Sequence, residues 1–344
     1  RPCLYAYEQQ FRWGGASYSR RCLLAGVRAT PLGEDVVPHE HTFAGPKMDR
    51  LLLTRHTRTQ LSPIFAFYDD PDGQATEALW SAATGLPEVW GEREGVTERL
   101  WAVDEPAAVR AVQDALAAVP CYIADGHHRY TTAMNYRDEL RAAGKIDDDH
   151  PANFVLFALV PRTDPGLLVL GTHRIVRGLR EDFTVAKLAK AAAAFSWQRC
   201  SLDQVDLRAP DAFLRRYGPG AMALLDAEMA EAWIARLEDA EAMRRAAPDA
   251  SQAWRSLDVA VLHKLLIDEA LAPWRTDEMF IEYTPDARAV RAACQSGRAQ
   301  LGACLQATPL SAVQAVADAG ESMPHKSTYF YPKLATGMVL KPLE

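Results

Sequence analysis

The chain has 344 residues, of which 49% are hydrophobic and 24% are charged, and its formal net charge at pH 7 is -7. This length exceeds what one hydrophobic core usually holds, so we expect two lobes, and the negative charge offers no general attraction to nucleic acid. The six cysteines form no C-x-x-C pair and no apolar run is long enough to cross a bilayer, which favours a cytoplasmic protein with reduced thiols and no membrane partner.

The first half of the sequence predicts alternating strands and helices. Two strands, within residues 2–9 and 18–28, flank a turn at Gly14 and Gly15. The chain starts within this strand pattern and without a Met, so we expect an upstream segment to be missing. The further predictions are helices over 49–59, 74–83 and 104–119, and strands at 64–68, 87–90, 97–103 and 153–160.

A polar loop at residues 34–50 has more ionisable side chains than a simple connecting loop needs. Its ionisable side chains would suit an anionic ligand with a metal ion: His39, Glu40, His41, Lys47, Asp49 and Arg50. The alternative is a solvated turn, because His-x-His alone is not specific to metal sites.

A strand, a tight turn and a helix are predicted around residues 121–140. Tyr122 and Ile123 are good strand formers, and from Tyr130 to Leu140 apolar residues recur at helical spacing. The first backbone N–H groups of a helix have no partner within the helix, so this end favours anions.

The turn itself has five consecutive residues suited to a site. Gly126 lets a ligand approach the backbone, Arg129 offers a planar fork for phosphate, and His127 and His128 can donate, accept or transfer a proton. Asp125 could cap the helix, hold a cation or act as a base. The alternative is that Asp125 is only a cap and that the histidines partner a buried carboxylate.

The second half, from about residue 182, predicts Ala-rich helices interleaved with strands. His263 keeps to the apolar side of one helix and is interpreted as structural. Thr172-His173-Arg174, after a strand at 167–170, is a second candidate set of ligand contacts. We expect an N-terminal α/β lobe (1–180) and a C-terminal α/β lobe (181–344). The predicted helices cover 184–195, 210–216, 251–271, 286–295 and 309–319, and the strands 221–225, 232–237, 280–283 and 301–305.

The tail at residues 324–337 is the third segment with candidate site residues, after the polar loop at 34–50 and the turn at Gly126. We expect this tail to return to the site. Its Lys326-Ser327 pair matches the end of a P-loop, but His325 stands where that loop needs Gly. Pro324 also lacks the backbone N–H that a P-loop would direct at the phosphate. Lys326, Ser327 and Thr328 remain candidate phosphate contacts. The alternative is that the aromatic residues after them only anchor the tail in the core.

Three long motifs carry a family resemblance. They are HExTxxGPKxDR (His39 to Arg50), ADGHHRY (Ala124 to Tyr130) and PxKSTYFYPKLxTG (Pro324 to Gly337). Together they resemble a widespread bacterial and archaeal family of unknown function over nearly the whole chain. Members of that family also carry an N-terminal segment, so the resemblance implies a further segment before residue 1.

A shorter pattern, Gly126-x-x-Arg129-Tyr130-x-x-Ala133, resembles the second box of the ParB/sulfiredoxin superfamily. In that superfamily a G-x-x-R turn at a helix N-terminus binds nucleotide phosphates: ParB uses CTP, sulfiredoxin uses ATP, and free-serine kinases phosphorylate an amino-acid hydroxyl. Asp-Gly-His-His-Arg is most similar to the kinase form. Sulfiredoxin has its catalytic Cys where this chain has His127, and ParB is disfavoured because no helix-turn-helix or basic stripe is recognisable.

The sequence therefore predicts an α/β fold with mixed sheets in two lobes and a ParB/sulfiredoxin-like strand-turn-helix phosphate site. The resemblance implies an enzyme that uses ATP, ADP or another nucleotide, with Mg²⁺, and transfers phosphate to a small polar metabolite as a serine kinase does. Asp125 or Glu40 would take the hydroxyl proton or Asp125 would hold Mg²⁺, and His127 and His128 would contact phosphate or move a proton. The expected phosphate ligands are Gly126, Arg129, Lys47, Arg50, Lys326, Ser327 and Thr328.

Two other functions stay open. A ParB-like regulatory module would bind a nucleotide without turnover. A metal-dependent hydrolase or phosphatase would use His39, His41, His127, His128 and Asp125 as ligands. The expected partner in each case is a small molecule, and a homo-oligomer is compatible with all three.

Overall fold

The computed structural model describes residues 3–40, 44–226 and 231–344, and for residues 44–47 it describes the backbone alone. The chain forms two compact units: the first runs to Leu168 and includes Phe330–Glu344, and the second is Val169–Tyr329. The sequence placed the division at residue 180 and assigned the whole tail to the second lobe. The division comes earlier because the strand His173–Leu179 pairs with strands of the second unit.

The first unit alternates strands and helices. Its helices are α1 (Ala44–Thr57), α2 (Gln74–Ala82), α3 (Pro106–Leu116) and α4 (His127–Ala142). Its strands before the chain enters the second unit are β1 (Leu4–Trp13), β2 (Ala16–Arg28), β3 (Val36–Val37), β4 (Thr59–Gln60), β5 (Ile64–Tyr68), β6 (Val89–Arg93), β7 (Val96–Val103), β8 (Cys121–Asp125) and β9 (Phe154–Pro161).

An eight-stranded mixed sheet forms the core of this unit, in the order β3-β8-β5-β9-β2-β1-β7-β6. The predicted hairpin is confirmed, since β1 and β2 pair antiparallel with Trp13 opposite Ala16. β9 lies between β5, to which it is parallel, and β2, to which it is antiparallel, and Phe157 and Val160 on it are fully buried. This position explains the continuous apolar run of β9, because a central strand covered on both faces has no polar side.

The second unit contains a six-stranded antiparallel sheet. Two short strands lie where the chain passes from one unit to the other, β10 (Leu168–Leu170) and β17 (Tyr329–Tyr331). A last short strand, β18 (Lys341–Pro342), lies in the tail and belongs to the first unit. The sheet strands are β11 (His173–Leu179), β12 (Phe195–Ser201), β13 (Met222–Asp226), β14 (Glu231–Leu237), β15 (Arg275–Thr284) and β16 (Leu301–Cys304). Their order is β12-β14-β13-β16-β11-β15. The helices are α5 (Val185–Ala191), α6 (Pro210–Leu214), α7 (Ala240–Ala246), α8 (Gln252–Arg255), α9 (Asp258–Val261), α10 (Ala287–Gln295) and α11 (Leu310–Asp318).

The predicted α/β class is confirmed, and the sheet of the first unit is mixed as predicted, whereas the sheet of the second unit is antiparallel throughout. The helix expected over 251–271 is divided into α8, α9 and a π-helical stretch, Leu262–Ala270. β12 was missed because its Phe195 was assigned to the end of the preceding Ala-rich helix, whereas that helix ends at Ala191. Within the described residues, no helix combines the length and apolar character that a membrane crossing needs. All six cysteines carry free thiols.

Candidate functional site

The turn between β8 and α4 is the centre of the candidate site. β8 ends at Asp125, Gly126 adopts a left-handed backbone with φ 104°, and α4 begins at His127, so the predicted strand, turn and helix are confirmed. A Cβ at Gly126 would lie 2.9 Å from Nη2 of Arg129 and 3.0 Å from its Cζ. Glycine is required here both by the positive φ and by the guanidinium that lies over the turn.

Asp125 lies between two cations at this turn. Its Oδ2 is 3.1 Å from Nζ of Lys333, and its Oδ1 is 3.8 Å from Nη2 of Arg129. Burial alone would raise the pKa of Asp125, but the charges of Lys333 and Arg129 outweigh burial and lower the pKa. The carboxylate is therefore ionised at neutral pH, and its side chain remains 40% exposed.

Arg129 is held in a fixed orientation. Its Nη1 donates a hydrogen bond to the carbonyl of Pro63, and the guanidinium stays charged although burial, with Arg50 nearby, lowers its pKa. Arg50 and Arg129 line the same small cavity, of about 70 Å³, together with Thr54 and Ser62. The structure thus groups Arg50 with the turn residues, in a space suited to a small group rather than to a whole nucleotide.

His127 is buried and connects the turn to the loop that contains Glu40. Its Nε2 accepts a hydrogen bond from the backbone N–H of His39 at 3.3 Å, and its Nδ1 lies 3.8 Å from Oε2 of Glu40. Burial, followed by the proximity of His39, His128 and Arg129, lowers the pKa of His127 well below its usual range. The ring is therefore neutral, and because Nε2 accepts, the proton is on Nδ1 and faces Glu40.

The other two histidines of the motifs differ in their surroundings. His39 is buried, which lowers its pKa to about 4, and its ring meets that of His127 edge-on with the centroids 4.7 Å apart. His128 is partly buried in the first turn of α4, where its carbonyl accepts a hydrogen bond from the Thr132 hydroxyl.

Several predicted site residues lie outside the described residues or in the second unit. His41 lies outside the described residues, and so does the side chain of Lys47. Lys326, Ser327 and Thr328 belong to the second unit. There the Ser327 hydroxyl is buried and donates to the carbonyl of Pro324 at 2.5 Å, which closes a turn.

Lys333 is the residue that sequence reasoning missed. It stands in the tail motif, in Tyr331-Pro-Lys333, but only its position in space links it to Asp125. The tail around it is fixed by aromatic packing in the first unit, since the Phe330 ring lies 5.7 Å from Phe65. The sequence did indicate that the tail motif has a second lysine, Lys333 after Lys326, but it could not show which residue Lys333 contacts.

The metal-ligand set of the hydrolase interpretation is not assembled in the described part of the chain. Those residues contain no group of three or more His, Cys, Asp or Glu side chains placed to share an ion. In addition, Nε2 of His127 is occupied by a backbone N–H, and Asp125 is paired with an ammonium group. A single carboxylate such as Asp125 still suits Mg²⁺, which usually takes one or two protein carboxylates beside phosphate oxygens.

Several solved structures resemble this chain at low identity. A conserved hypothetical protein from Pyrococcus furiosus has a TM-score of 0.41 and 12% identity over 94% of this chain and 95% of that chain. A free serine kinase in complex with AMP has a TM-score of 0.39 and 11% identity over 90% and 86%, respectively. SbnI with a C-terminal truncation, from Staphylococcus aureus, has a TM-score of 0.42 and 11% identity over 93% and 87%.

The sequence comparisons are more specific. No curated protein matches this chain. A family model described as "Protein of unknown function (DUF1015)" matches residues 1–260, which is most of the 344 residues. The chain therefore belongs to the DUF1015 family.

Proposed function

We propose that this protein binds a nucleotide and transfers a phosphoryl group to the hydroxyl of a small polar metabolite, as a serine kinase does. The observation that carries the proposal is the left-handed turn at Gly126, where the absence of a Cβ lets the Arg129 guanidinium lie directly over the start of α4. The N–H groups of a helix's first turn and a guanidinium fork together suit the phosphates of ATP or ADP.

The charges around this turn support phosphoryl transfer. Such a reaction depends mainly on positioning and on neutralising the phosphate charge. Arg129 and Lys333 both lie within 4 Å of Asp125, and Arg50 lines a cavity with Arg129. We propose that these three cations, with Lys47 of α1, hold the phosphates, and that His128 at the first turn of α4 contacts them as well.

Glu40 is the proposed general base. Asp125 is less suited because the neighbouring cations lower its pKa, and a carboxylate with a lowered pKa is a weaker base. In the proposed step Glu40 takes the proton of the acceptor hydroxyl, whose oxygen forms a bond to the terminal phosphorus. The phosphoanhydride P–O bond breaks, and its electron pair leaves with the remaining nucleotide.

His127 and Asp125 have supporting roles in this proposal. Neutral His127 directs its Nδ1–H toward Glu40 and so positions that carboxylate without competing for the proton. Asp125 would hold Mg²⁺ beside the phosphates, and the ion would supply further neutralisation of their charge. When phosphate binds, Lys333 can turn from Asp125 to the phosphate oxygens, because its side chain is half-exposed.

Nucleotide binding is tested first, by thermal unfolding with ATP, ADP, CTP and GTP, each with and without Mg²⁺. A ligand at about 100 times its dissociation constant should add about 2.7 kcal/mol to the free energy of unfolding. We expect Arg129→Ala to abolish this gain. Arg141→Ala is the matched control, because Arg141 lies in the last turn of the same helix, α4. Absence of stabilisation by every nucleotide would refute the proposal.

Turnover is tested separately, by ³¹P NMR of the wild-type protein with the stabilising nucleotide, Mg²⁺ and a panel of amino-acid and sugar hydroxyl compounds. We expect a phosphomonoester signal from one class of acceptor. Glu40→Gln should retain nucleotide binding and lose product, whereas the control Glu139→Gln on the far turns of α4 should retain both. Binding by the wild type without any product would identify a regulatory module of the ParB type instead.

A further inference from the structure

The second unit contains a buried arginine that lacks a counter-ion. Arg174, on β11, is 0% exposed. Within the described ranges, no carboxylate lies at ion-pair distance from its guanidinium, and burial lowers its pKa to about 10. A buried charge without a counter-ion is costly, so an arrangement that retains one needs a reason.

The guanidinium also has hydrogen-bond donors to spare. Its Nε donates to Nε2 of His263 at 3.3 Å, its Nη2 to the carbonyl of Lys326 at 3.2 Å, and its Nη1 to the carbonyl of Thr172. Three of its five N–H groups thus reach an acceptor among the described residues. The hydroxyl of Thr172, also buried, makes no hydrogen bond within that part of the chain. An oxyanion would satisfy these donors and supply the missing negative charge.

Basic and aromatic side chains extend from Arg174 to the surface. The Tyr283 ring lies 5.2 Å from the Arg174 guanidinium, 6.5 Å from the stacked His263 ring and 5.6 Å from the His325 ring. His325 and Lys326, at the outer end of this cluster, are exposed to solvent.

The turn that presents Lys326 is strained. Lys326 has φ 54°, a left-handed backbone that a non-glycine residue adopts at a cost. The turn is nevertheless fixed, because the Ser327 hydroxyl donates to the Pro324 carbonyl and the Thr308 hydroxyl donates to the Ser327 carbonyl. These hydrogen bonds keep the Lys326 carbonyl on Arg174 and leave the Lys326 side chain at the surface.

We propose that Arg174, His263, His325 and Lys326 form a phosphate-binding site of the second unit. The ligand is a phosphate group, either inorganic or carried by a small metabolite as a monoester. Phosphate suits the cluster because one group offers several acceptor oxygens to a guanidinium, an ammonium and two imidazoles at once. This site does not depend on the proposed nucleotide binding at Gly126 and Arg129, which belong to the first unit.

The test measures phosphate binding by isothermal titration calorimetry in an Arg129→Ala background. This substitution removes the proposed phosphate contacts at the Gly126 turn of the first unit, so that they do not contribute. Replacing the two exposed residues, His325→Gln with Lys326→Gln, should weaken the binding of inorganic phosphate at least tenfold. The control is Lys190→Gln, at an exposed position of α5 in the same unit. Absence of phosphate binding in the Arg129→Ala protein, or equal binding in the double variant and the control, overturns the proposal.

A second measurement separates ligand contact from a structural role. In the free protein, burial and the neighbouring Arg174 and His325 lower the pKa of His263 to about 4. A bound phosphate should raise this pKa, which ¹⁵N-edited NMR of the imidazole follows directly. A His263 titration curve that is unchanged at saturating phosphate contradicts the site. Glycerol phosphate and acetate complete the series: equal binding of acetate would exclude phosphate as the preferred ligand.

Discussion

Gly126 can be compared with a second glycine in the same position relative to a helix. Gly126 precedes α4 with φ 104° and Gly73 precedes α2 with φ 68°, but a Cβ at Gly73 would meet no atom within 4 Å. Alanine at either position would have to adopt the left-handed backbone that the glycine has, at a cost of roughly 1–3 kcal/mol. We expect Gly126→Ala to cost more than Gly73→Ala, because only the former displaces Arg129 from Pro63. Urea unfolding measures both, and equal losses would show that Arg129 moves freely.

The ion pairs of Asp125 predict a particular dependence of stability on pH. Because the pKa of Asp125 is lowered in the folded state, the unfolded chain binds a proton more readily. The stabilisation is thus present above the unfolded pKa of about 3.9 and is lost as the pH falls through the lower folded value. Its size should be about 1 kcal/mol or less, since the side chains are half-exposed.

Asp125→Asn removes this contribution and is checked by urea unfolding between pH 7 and pH 2. The free energy of unfolding of the wild type should fall more steeply at acidic pH than that of the variant. Asp72→Asn, in the exposed turn after β5, should leave the wild-type slope unchanged. The same slope in all three proteins would mean that Lys333 and Arg129 do not stabilise the carboxylate in solution.

At the scale of elements, α4 is anchored to the chain that follows β2. The Tyr130 hydroxyl donates to the carbonyl of Thr30 at 2.7 Å and accepts from the N–H of Thr30 at 3.0 Å. Tyr130 is fully buried, so Tyr130→Phe leaves two backbone groups without this partner and should cost about 1–3 kcal/mol. The control is Tyr136→Phe on the same helix, whose hydroxyl makes no hydrogen bond to the described residues. Chemical denaturation should separate the two variants, and similar values would contradict the anchor.

Elements whose signal is local could be predicted from the sequence. β8, Gly126 and α4 follow from strand formers, a glycine and helical spacing within about twenty residues. Lys333 and Arg174 could not be assigned partners, because Asp125 lies 208 residues from Lys333 and Lys326 lies 152 residues from Arg174. His263 was interpreted as structural from its helical spacing, and no periodicity could have indicated its hydrogen bond to Arg174 on another element.

At the scale of the first unit, one buried network connects the sheet with the tail. Arg20 on β2 is fully buried and donates to Gln9 on β1 at 3.1 Å and to the carbonyls of Tyr331 and Pro332 at 3.1 and 2.6 Å. Gln9 in turn donates to the carbonyl of Lys333 at 3.3 Å. The position of the Lys333 ammonium at Asp125 therefore depends on polar groups in the middle of the sheet.

This dependence predicts that Arg20→Leu loosens the tail. Each hydrogen bond from a charged donor contributes about 1.5–3 kcal/mol, and about 1.4 kcal/mol corresponds to a tenfold change in local opening. Hydrogen–deuterium exchange should therefore accelerate roughly tenfold or more for residues 330–337, and by a smaller factor for β1 and β2 in the same sample. Arg99→Leu, which removes a partly exposed ion pair with Glu8 on the same sheet, should not produce this difference. If tail and sheet accelerate equally, Arg20 stabilises the whole unit and does not specifically position Lys333.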